Sequence, residues 1–368
     1  MFHSTYKDKN VLVTGHTGFK GSWLTQWLLA CGAKVTGYAL DPQPHELLYD
    51  QLAVSSQLVN DHRGDIADLS RLTKIIGELK PDFVFHLAAQ PLVRLSYEIP
   101  VETFATNVMG TVHILEAVRK SGHACSVVVV TTDKCYENRE WLHSYREEDA
   151  MGGHDPYSAS KGAAELAAHS YRRSYFDSKG NVAMATARAG NVIGGGDWAL
   201  DRIVPDCIRA LRKGEAIPVR NKIATRPWQH VLEPISGYLW LGAALHNSHL
   251  TGYQNNAPFR SAFNFGPRLT SNRTVAQLVE CLITRTGGEW LDCSDPHALH
   301  EASKLNLAID KAFHLLQWQP VWDFDQTIAQ TAAWYLQEAD GRSVSEITTN
   351  QIKQYEAAAQ KEQLLWAK

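Results

Sequence analysis

The sequence predicts an α/β protein, a doubly wound parallel sheet with a smaller, discontinuous C-terminal substrate lobe. Three observations predict it. Short β-rich apolar runs, Val11 to Thr14, Lys34 to Leu40, Asp82 to Ala88, Ser126 to Thr131, Val182 to Arg188 and Ala262 to Phe265, alternate with helical stretches. That alternation builds a parallel sheet with helices on both faces. The first run breaks into three glycines spaced three apart, Gly15, Gly18 and Gly21, and then becomes helical. After Asn191 the rhythm gives way to Gly194-Gly195-Gly196-Asp197-Trp198 and a stretch rich in Arg, Pro and Trp up to His230.

Each element follows from its residues. In Gly15-His16-Thr17-Gly18-Phe19-Lys20-Gly21, Gly15 allows a tight strand-to-helix turn and Gly18 lets backbone amides approach a pyrophosphate. Gly21 lets the helix from about Ser22 to Ala30 pack on the strand, so the turn reads as the dinucleotide-binding corner of a Rossmann-type fold. His16 could tune cofactor binding there, although such a histidine is more often a partly exposed loop residue. Asp41 ends the second run, about 20 residues beyond the turn, where an acid accepts hydrogen bonds from ribose hydroxyls and repels a 2'-phosphate. That favours NAD over NADP; the plain alternative is a solvated turn aspartate in Asp41-Pro42. Asp65 follows a third short strand and reaches adenine by a similar argument. Helices are expected over Ser70 to Leu79 and Thr103 to Lys120, with Gly122 placed to stop the latter. Ligands of an open parallel sheet bind beyond the carboxyl ends of its strands. The Gly15 turn, Ala88-Ala89, Thr132 to Lys134 and Gly190-Asn191 all stand at such ends.

The domains expected are a dinucleotide-binding domain over 1–192 plus 231–266, and a second lobe over 193–230 plus 267–368 with residues 325 to 368 mainly helical. The tail from Gln351 to Lys368 reads as a docked surface helix. The 368 residues are 44% hydrophobic and 20% charged, ordinary for a globular chain. A net charge of -3 without a long basic run gives no case for nucleic acid or an anionic membrane. No apolar segment has transmembrane length and Met1 to Asn10 lacks a signal-peptide core, so a cytoplasmic protein is expected. The six cysteines form no C-x-x-C pair, which predicts reduced thiols and no metal site. Cys135 beside Lys134 is read as structural.

The chemistry is concentrated in residues 131 to 161. A strand opens into Thr131-Thr132-Asp133-Lys134, and Tyr157 and Lys161 follow as a Tyr-x-x-x-Lys pair. Residues four apart share a helix face, so an ammonium at Lys161 can lower the Tyr157 phenol and make it a base. Asp133 and Lys134 are one proton-transfer group more than a simple dehydrogenase needs, which suggests oxidation coupled to elimination.

Gly15 to Gly21, Gly64-Asp65-Ile66, His86-Leu87-Ala88-Ala89, Asn107-Val108-Met109-Gly110-Thr111, Thr131-Thr132-Asp133, Tyr157-Ser158-Ala159-Ser160-Lys161 and Arg188-Ala189-Gly190-Asn191 occur in that order. The pattern resembles the extended short-chain dehydrogenase/reductase family acting on nucleotide sugars. The resemblance implies NAD as cofactor, held by Gly15, His16, Gly18, Phe19, Lys20, Gly21, Asp41, Asp65, Ile66, Leu87, Ala88, Ala89, Asn107, Tyr157 and Lys161. Within the family, Gly15 to Trp23, Asp133-Lys134 and Arg226 to Val231 look most like the branch that dehydrates CDP-linked glucose. The implied reaction oxidises C4, eliminates water across C5 and C6, and returns hydride to C6. Tyr157, activated by Lys161 and beside Thr132, would take the 4-hydroxyl proton, and protonated Asp133 would serve the departing 6-hydroxyl. Related 4,6-dehydratases usually carry glutamate where this chain has Lys134. Lys134 is therefore the C5 base if neutral, or an electrostatic stabiliser of the C5 enolate, or a structural partner of Asp133 or Glu137.

On the substrate side Asn191, Arg202, Arg220 and Arg226 are candidates for the diphosphate, with Arg226 ahead of Arg220. Trp228 either stacks on a base or fills core. Sister readings are another nucleotide-sugar 4,6-dehydratase or a 4-epimerase; from a different class, a non-catalytic NAD-binding regulator. In oligomeric members of the family two helices per subunit pair across an interface, here Thr103 to Lys120 and Ser158 to Phe176. This implies a homodimer, with a tetramer as the alternative.

Overall fold

The computed structural model describes residues 1–43, 48–177, 180–294 and 304–368. Of the expected second lobe, 295–303 thus lie outside the described residues. The main sheet is built from β1 (Asn10–Thr14), β2 (Lys34–Ala39), β3 (Asn60–Arg63), β4 (Phe83–His86), β5 (Cys125–Val130), β6 (Val182–Arg188) and β11 (Ala262–Asn264). Its order is β3-β2-β1-β4-β5-β6-β11, and every neighbouring pair runs parallel. The chain order reverses between β1 and β4, the crevice where a doubly wound sheet binds ligands.

Strand β5 shows why these residues choose a central strand. Its six residues Cys-Ser-Val-Val-Val-Val are all buried, as a strand covered on both faces requires, and β-branched side chains fit the pleat. Alternate residues serve opposite faces. Val128 and Val130 join the core that holds Val11, Val13, Phe83 and Phe85. Val127 and Val129 join the other, with Leu12 and Val84.

The flanking helices used below are α1 (Phe19–Ala30), α2 (Leu69–Leu79), α3 (Gly110–Ser121), α4 (Pro156–Tyr171), α5 (Ile203–Lys213), α6 (Leu232–His246), α7 (Val275–Thr286), α8 (Phe324–Ala339) and α9 (Val344–Lys361). Their ends carry the expected signals. Asp68 accepts from Arg71 N at 2.9 Å at the start of α2. Asp155 accepts from Ser158 N at 2.9 Å with Pro156 in the first turn of α4. Gly122 terminates α3 at φ 64°. The helix expected over Thr103 to Lys120 starts earlier, at Pro100, and passes through one π turn at Ala105–Met109; a second π turn at Arg172–Phe176 extends α4.

Past β6, two-stranded ribbons replace the rhythm. Strand β7 (Val192–Ile193) pairs with β10 (Gln229–His230), β8 (Ile217–Val219) with β13 (Trp290–Asp292), and β9 (Thr225–Pro227) with β12 (Asn272–Thr274). Helix α6, buried from Leu232 to Leu245, then returns the chain to the main sheet against β5 and β6. The final helix α9 lies on α1, where Trp27 Nε1 donates to Glu356 Oε1 at 2.8 Å. Among the described residues no helix is long and apolar enough to cross a membrane.

Candidate active site

The glycine turn is built by close approach. Gly15 sits at φ 73°, and a Cβ there would lie 2.7 Å from Ala88 N. A Cβ on Gly21 would lie 2.0 Å from the Gly15 carbonyl oxygen. Only glycine fits either position. Gly18 precedes the first turn of α1 in extended backbone, and Phe19 and Lys20 open the helix. The turn leaves backbone amides and a helix N-terminus facing the sheet crevice, an arrangement that fits a pyrophosphate.

His16 corrects the expectation of a partly exposed loop residue, since it is fully buried. Gly37 on β2 leaves room for its ring, which a Cβ there would meet at 2.4 Å. Its Nε2 lies 2.8 Å from Asp61 Oδ1 and 3.1 Å from Arg63 Nη1. Burial lowers its pKa, opposed by the bond and charge of Asp61. Beyond this cluster, Asp41 stands at the end of β2, largely exposed, 3.2 Å from Arg63 Nε. Asp65 caps its own turn through Ala67 N at 2.8 Å. Ile66 is buried, filling the space left at Gly110, and Leu87, Ala88 and Ala89 line the end of β4, partly exposed. Asn107 is a strut: it accepts from Gln90 N at 2.9 Å and donates to Gln90 O at 3.1 Å and Ser160 Oγ at 2.8 Å.

Thr132, Asp133 and Lys134 leave the end of β5 as a short helical turn. Asp133 is fully buried and gripped from several chain segments. Thr132 Oγ1 donates to its Oδ1 at 2.9 Å, Lys134 Nζ lies 3.4 Å from the same oxygen, and Asn191 Nδ2 donates to Oδ2 at 2.9 Å. Asn191 adopts φ 52° to do so. A Cβ on Gly190 would fall 2.0 Å from the Asp133 carboxyl carbon, so that glycine makes room for the acid.

Tyr157 and Lys161, both buried, occupy the first turns of α4 and face this centre. The expectation of a lowered phenol is corrected: burial pushes Tyr157 up to about 12, with a hydrogen bond from Thr132 and the charge of Arg202 working downward and Asp133 upward. Burial lowers Lys161 to about 8, opposed by Glu165 and Cys135. Lys20 joins the same centre. Desolvation takes it down to about 7, helped by Arg202, Lys161 and Lys134 and opposed by Asp133. Cys135 is fully buried and its thiol is pushed far up by that burial, the state of an inert thiol.

The substrate-side candidates divide. Arg202 bonds both oxygens of Asp197, at 3.1 and 2.9 Å, and its charge reaches Tyr157 and Lys20. Arg220 lies farther out, paired with Asp201 at 2.6 Å and Asp206 at 3.2 Å. Arg226, on β9, donates to its neighbour Thr225 O at 2.9 Å. Trp228 is core: it is buried, and its Nε1 donates to Arg273 O at 3.1 Å. Two functional supports escaped the sequence reading. Arg63 has no motif around it, and its approach to His16 and Asp41 depends on β2 and β3 being neighbours. Glu165 carried a signal, four residues past Lys161 on one helix face.

A family model described as GDP-mannose 4,6 dehydratase matches residues 12–331. The chain is 45% identical over 359 residues to a CDP-glucose 4,6-dehydratase of Salmonella typhimurium, covering 96% of this chain and 98% of that protein. It is 30% identical to a dTDP-glucose 4,6-dehydratase of Streptomyces antibioticus, covering 89% and 92%. The fold is shared with a dTDP-glucose 4,6-dehydratase of Bacillus anthracis solved in complex with NAD, at TM-score 0.74 and 23% identity over 90% of this chain and 98% of that one. It is also shared with an epimerase from Methanothermobacter thermautotrophicus, at TM-score 0.76 and 22% identity over 92% and 96%.

Proposed function

We propose, from the premise that the chain belongs to the GDP-mannose 4,6 dehydratase family, that this enzyme converts CDP-D-glucose to CDP-4-keto-6-deoxy-D-glucose and water. It is an NAD-dependent hydro-lyase acting on a nucleotide-activated hexose. The observation that carries the reading is Asp133 and Lys134 sharing one centre with Tyr157 and Lys161. A carboxyl and an amine beside the tyrosine are what a C5/C6 elimination adds to a C4 oxidation.

The glycine turn and Asp41 fit NAD, which when bound accepts hydride from C4 and returns it at C6. Tyr157 takes the 4-hydroxyl proton, oriented by Thr132 and helped by the charge of Lys161. Asp133, held by Thr132 and Asn191, delivers a proton to the departing 6-hydroxyl. Lys134 lies 3.4 Å from Asp133, and the two share one proton: on Asp133 it serves the departing 6-hydroxyl and leaves the Lys134 amine neutral to take the C5 proton. Arg202 and Asn191 are the diphosphate-side contacts best supported by position, with Arg226 next. The burial of Trp228 supports its core role over stacking on a base. The two lobes are 1–192 plus 231–266 and 193–230 plus 267–368, with α9 folded back onto α1. Exposed Phe104, Met109, Leu166 and Tyr175 on the two expected interface helices support a homodimer.

Proton NMR of the protein with NAD in deuterated water tests this, with CDP-glucose, dTDP-glucose, UDP-glucose and GDP-mannose as parallel substrates. The expected product is a 4-keto-6-deoxy sugar from CDP-glucose carrying solvent deuterium at C5. A C4 epimer without C5 exchange would sink the dehydratase reading, and turnover of a different nucleotide would overturn the choice of CDP.

A further inference from the structure

Behind the reacting groups lies a buried ion pair that the reaction itself does not use. Glu165 and Arg188 are both almost fully buried, with Arg188 Nη2 donating to Glu165 Oε2 at 2.9 Å. Glu165 stands one helical turn past Lys161, on the same face of α4. Its Oε1 accepts from Thr131 Oγ1 at 2.5 Å, and its Oε2 also accepts from Thr186 Oγ1 at 2.8 Å. Thr131 immediately precedes Thr132 and Asp133, and Thr186 and Arg188 lie on β6, which leads into Gly190 and Asn191. One carboxylate therefore ties together the helix of Tyr157 and Lys161, the strand end of Asp133, and the strand that delivers Asn191 to Asp133. Arg188 extends the tie, donating to Tyr136 OH at 2.7 Å and Glu147 O at 3.0 Å.

We infer that Glu165 is a positioning residue of the reaction: it fixes the helix of Tyr157 and Lys161 against the strand end that carries Asp133, and it is the carboxylate one turn from Lys161 on the same helix face. The inference rests on the dehydratase reading only for its kinetic consequences. A buried carboxylate accepting from two threonines and an arginine uses both oxygens on fixed partners, so it has little freedom to move. Of the other ionisable groups around Lys161, Asp133 is engaged by Thr132, Asn191 and Lys134 and Arg188 is the cation already paired with Glu165, so neither supplies a replacement anion. His86 on β4 is neutral, lowered by burial to about 3. Cys135 is a buried thiol raised by that burial, and Lys20 on α1 is a base. Removing the Glu165 charge makes the neutral amine of Lys161 easier to form, so activity that needs the ammonium is lost at lower pH.

The test compares wild type with Glu165→Gln, Glu165→Asp and the charge-neutral pair Glu165→Gln with Arg188→Met, which avoids stranding a buried guanidinium. The Lys161 titration is followed by NMR of protein carrying ε-carbon-labelled lysine, assigned with Lys161→Arg, and kcat and KM for CDP-glucose are measured against pH. Glu165→Gln is expected to move the Lys161 midpoint and the alkaline limb of kcat acidward by about one pH unit, and the pair with Arg188→Met by less because the opposed charges leave together. In them kcat falls at least about tenfold and KM by no more than about threefold either way. Glu165→Asp keeps the midpoint and loses kcat, because its shorter reach relaxes the tie. A folded neutral variant with the wild-type midpoint and kcat would overturn the inference. Because the midpoint needs no turnover, inactive wild type with a shifted midpoint in the variants would count against the dehydratase reading and leave the role of Glu165 supported.

Discussion

Asp133 is buried and held by Thr132 and Asn191, and those surroundings separate its proposed role from that of Tyr157. A phenol pushed up to about 12 by burial becomes a base only with help at the moment of reaction, so Tyr157→Phe should lower kcat by about 10²- to 10⁴-fold. CD spectra superimposable on wild type would show that the loss is chemical. Asp133→Asn should behave differently. With the proton donor to the departing 6-hydroxyl removed, CDP-glucose recovered from deuterated buffer is expected to carry deuterium at C5 while the 4-keto-6-deoxy product falls by a comparable factor. Loss of exchange together with product would make Asp133 a participant in C4 oxidation instead. Most of this centre was legible in the sequence because its motifs are local: Thr132 to Lys134 and the Tyr157-Lys161 pair each lie on one short segment. The burial of His16 was not legible, because it depends on Gly37 and Asp61, residues on two other strands that approach only after folding. The net direction of the Tyr157 shift was missed for a related reason, since desolvation is a property of the packed site and the four-residue spacing reports only the helix face.

Among the elements, the parallel strands were legible to within a residue or two at their ends because apolar runs such as Ser126 to Thr131 bury both faces and need no alternation. The small ribbons were not legible. A strand such as Gln229–His230 has too few residues to show a period, and its partner Val192–Ile193 is distant in sequence. Trp228 sits beside that strand, and its side chain belongs to the core for reasons that no dipeptide pattern carries. The junction of β6 with Asn191 gives a test at this scale. In Gly190→Ala the new methyl would occupy space now held by the Asp133 carboxyl group, so the acid must shift. The expected result is a kcat reduced by at least about tenfold, with NADH binding, read by fluorescence titration, within about threefold of wild type. Equal activity would mean that the strand moves and Asp133 does not.

Across the whole molecule, α6 and α9 close the structure around one buried carboxyl. Glu233 accepts from Val321 N at 3.0 Å, Trp322 N at 2.7 Å and Tyr355 OH at 2.7 Å. Burial nevertheless raises it to about 7 against those bonds. A carboxyl raised in the folded state contributes stability that is complete below its unfolded pKa and is lost as pH rises through about 7. The swing is on the order of 3 kcal/mol. The stability of wild type relative to Glu233→Gln, read from thermal melts, should therefore fall between about pH 5 and about pH 8. A constant difference across that range would refute the assignment. The chain ends are tied as firmly: Trp366 is fully buried, stacked 5.4 Å from Phe2 and 5.8 Å from Tyr355. Trp366→Ala should cost about 3–5 kcal/mol in urea unfolding, and a loss below 1 kcal/mol, roughly the value of a surface change, would show the tail to be an appendage.

Lys20, Lys134, Lys161 and Arg202 gather their charges around one centre, against Asp133 and the Asp197 that already engages Arg202. Such a pocket attracts small polyvalent anions whether or not they resemble a sugar nucleotide. Sulfate or phosphate in a buffer is thus expected to compete with substrate, and the apparent affinity to depend on the salt chosen. An anion that competes there would raise the apparent KM for substrate and leave kcat unchanged.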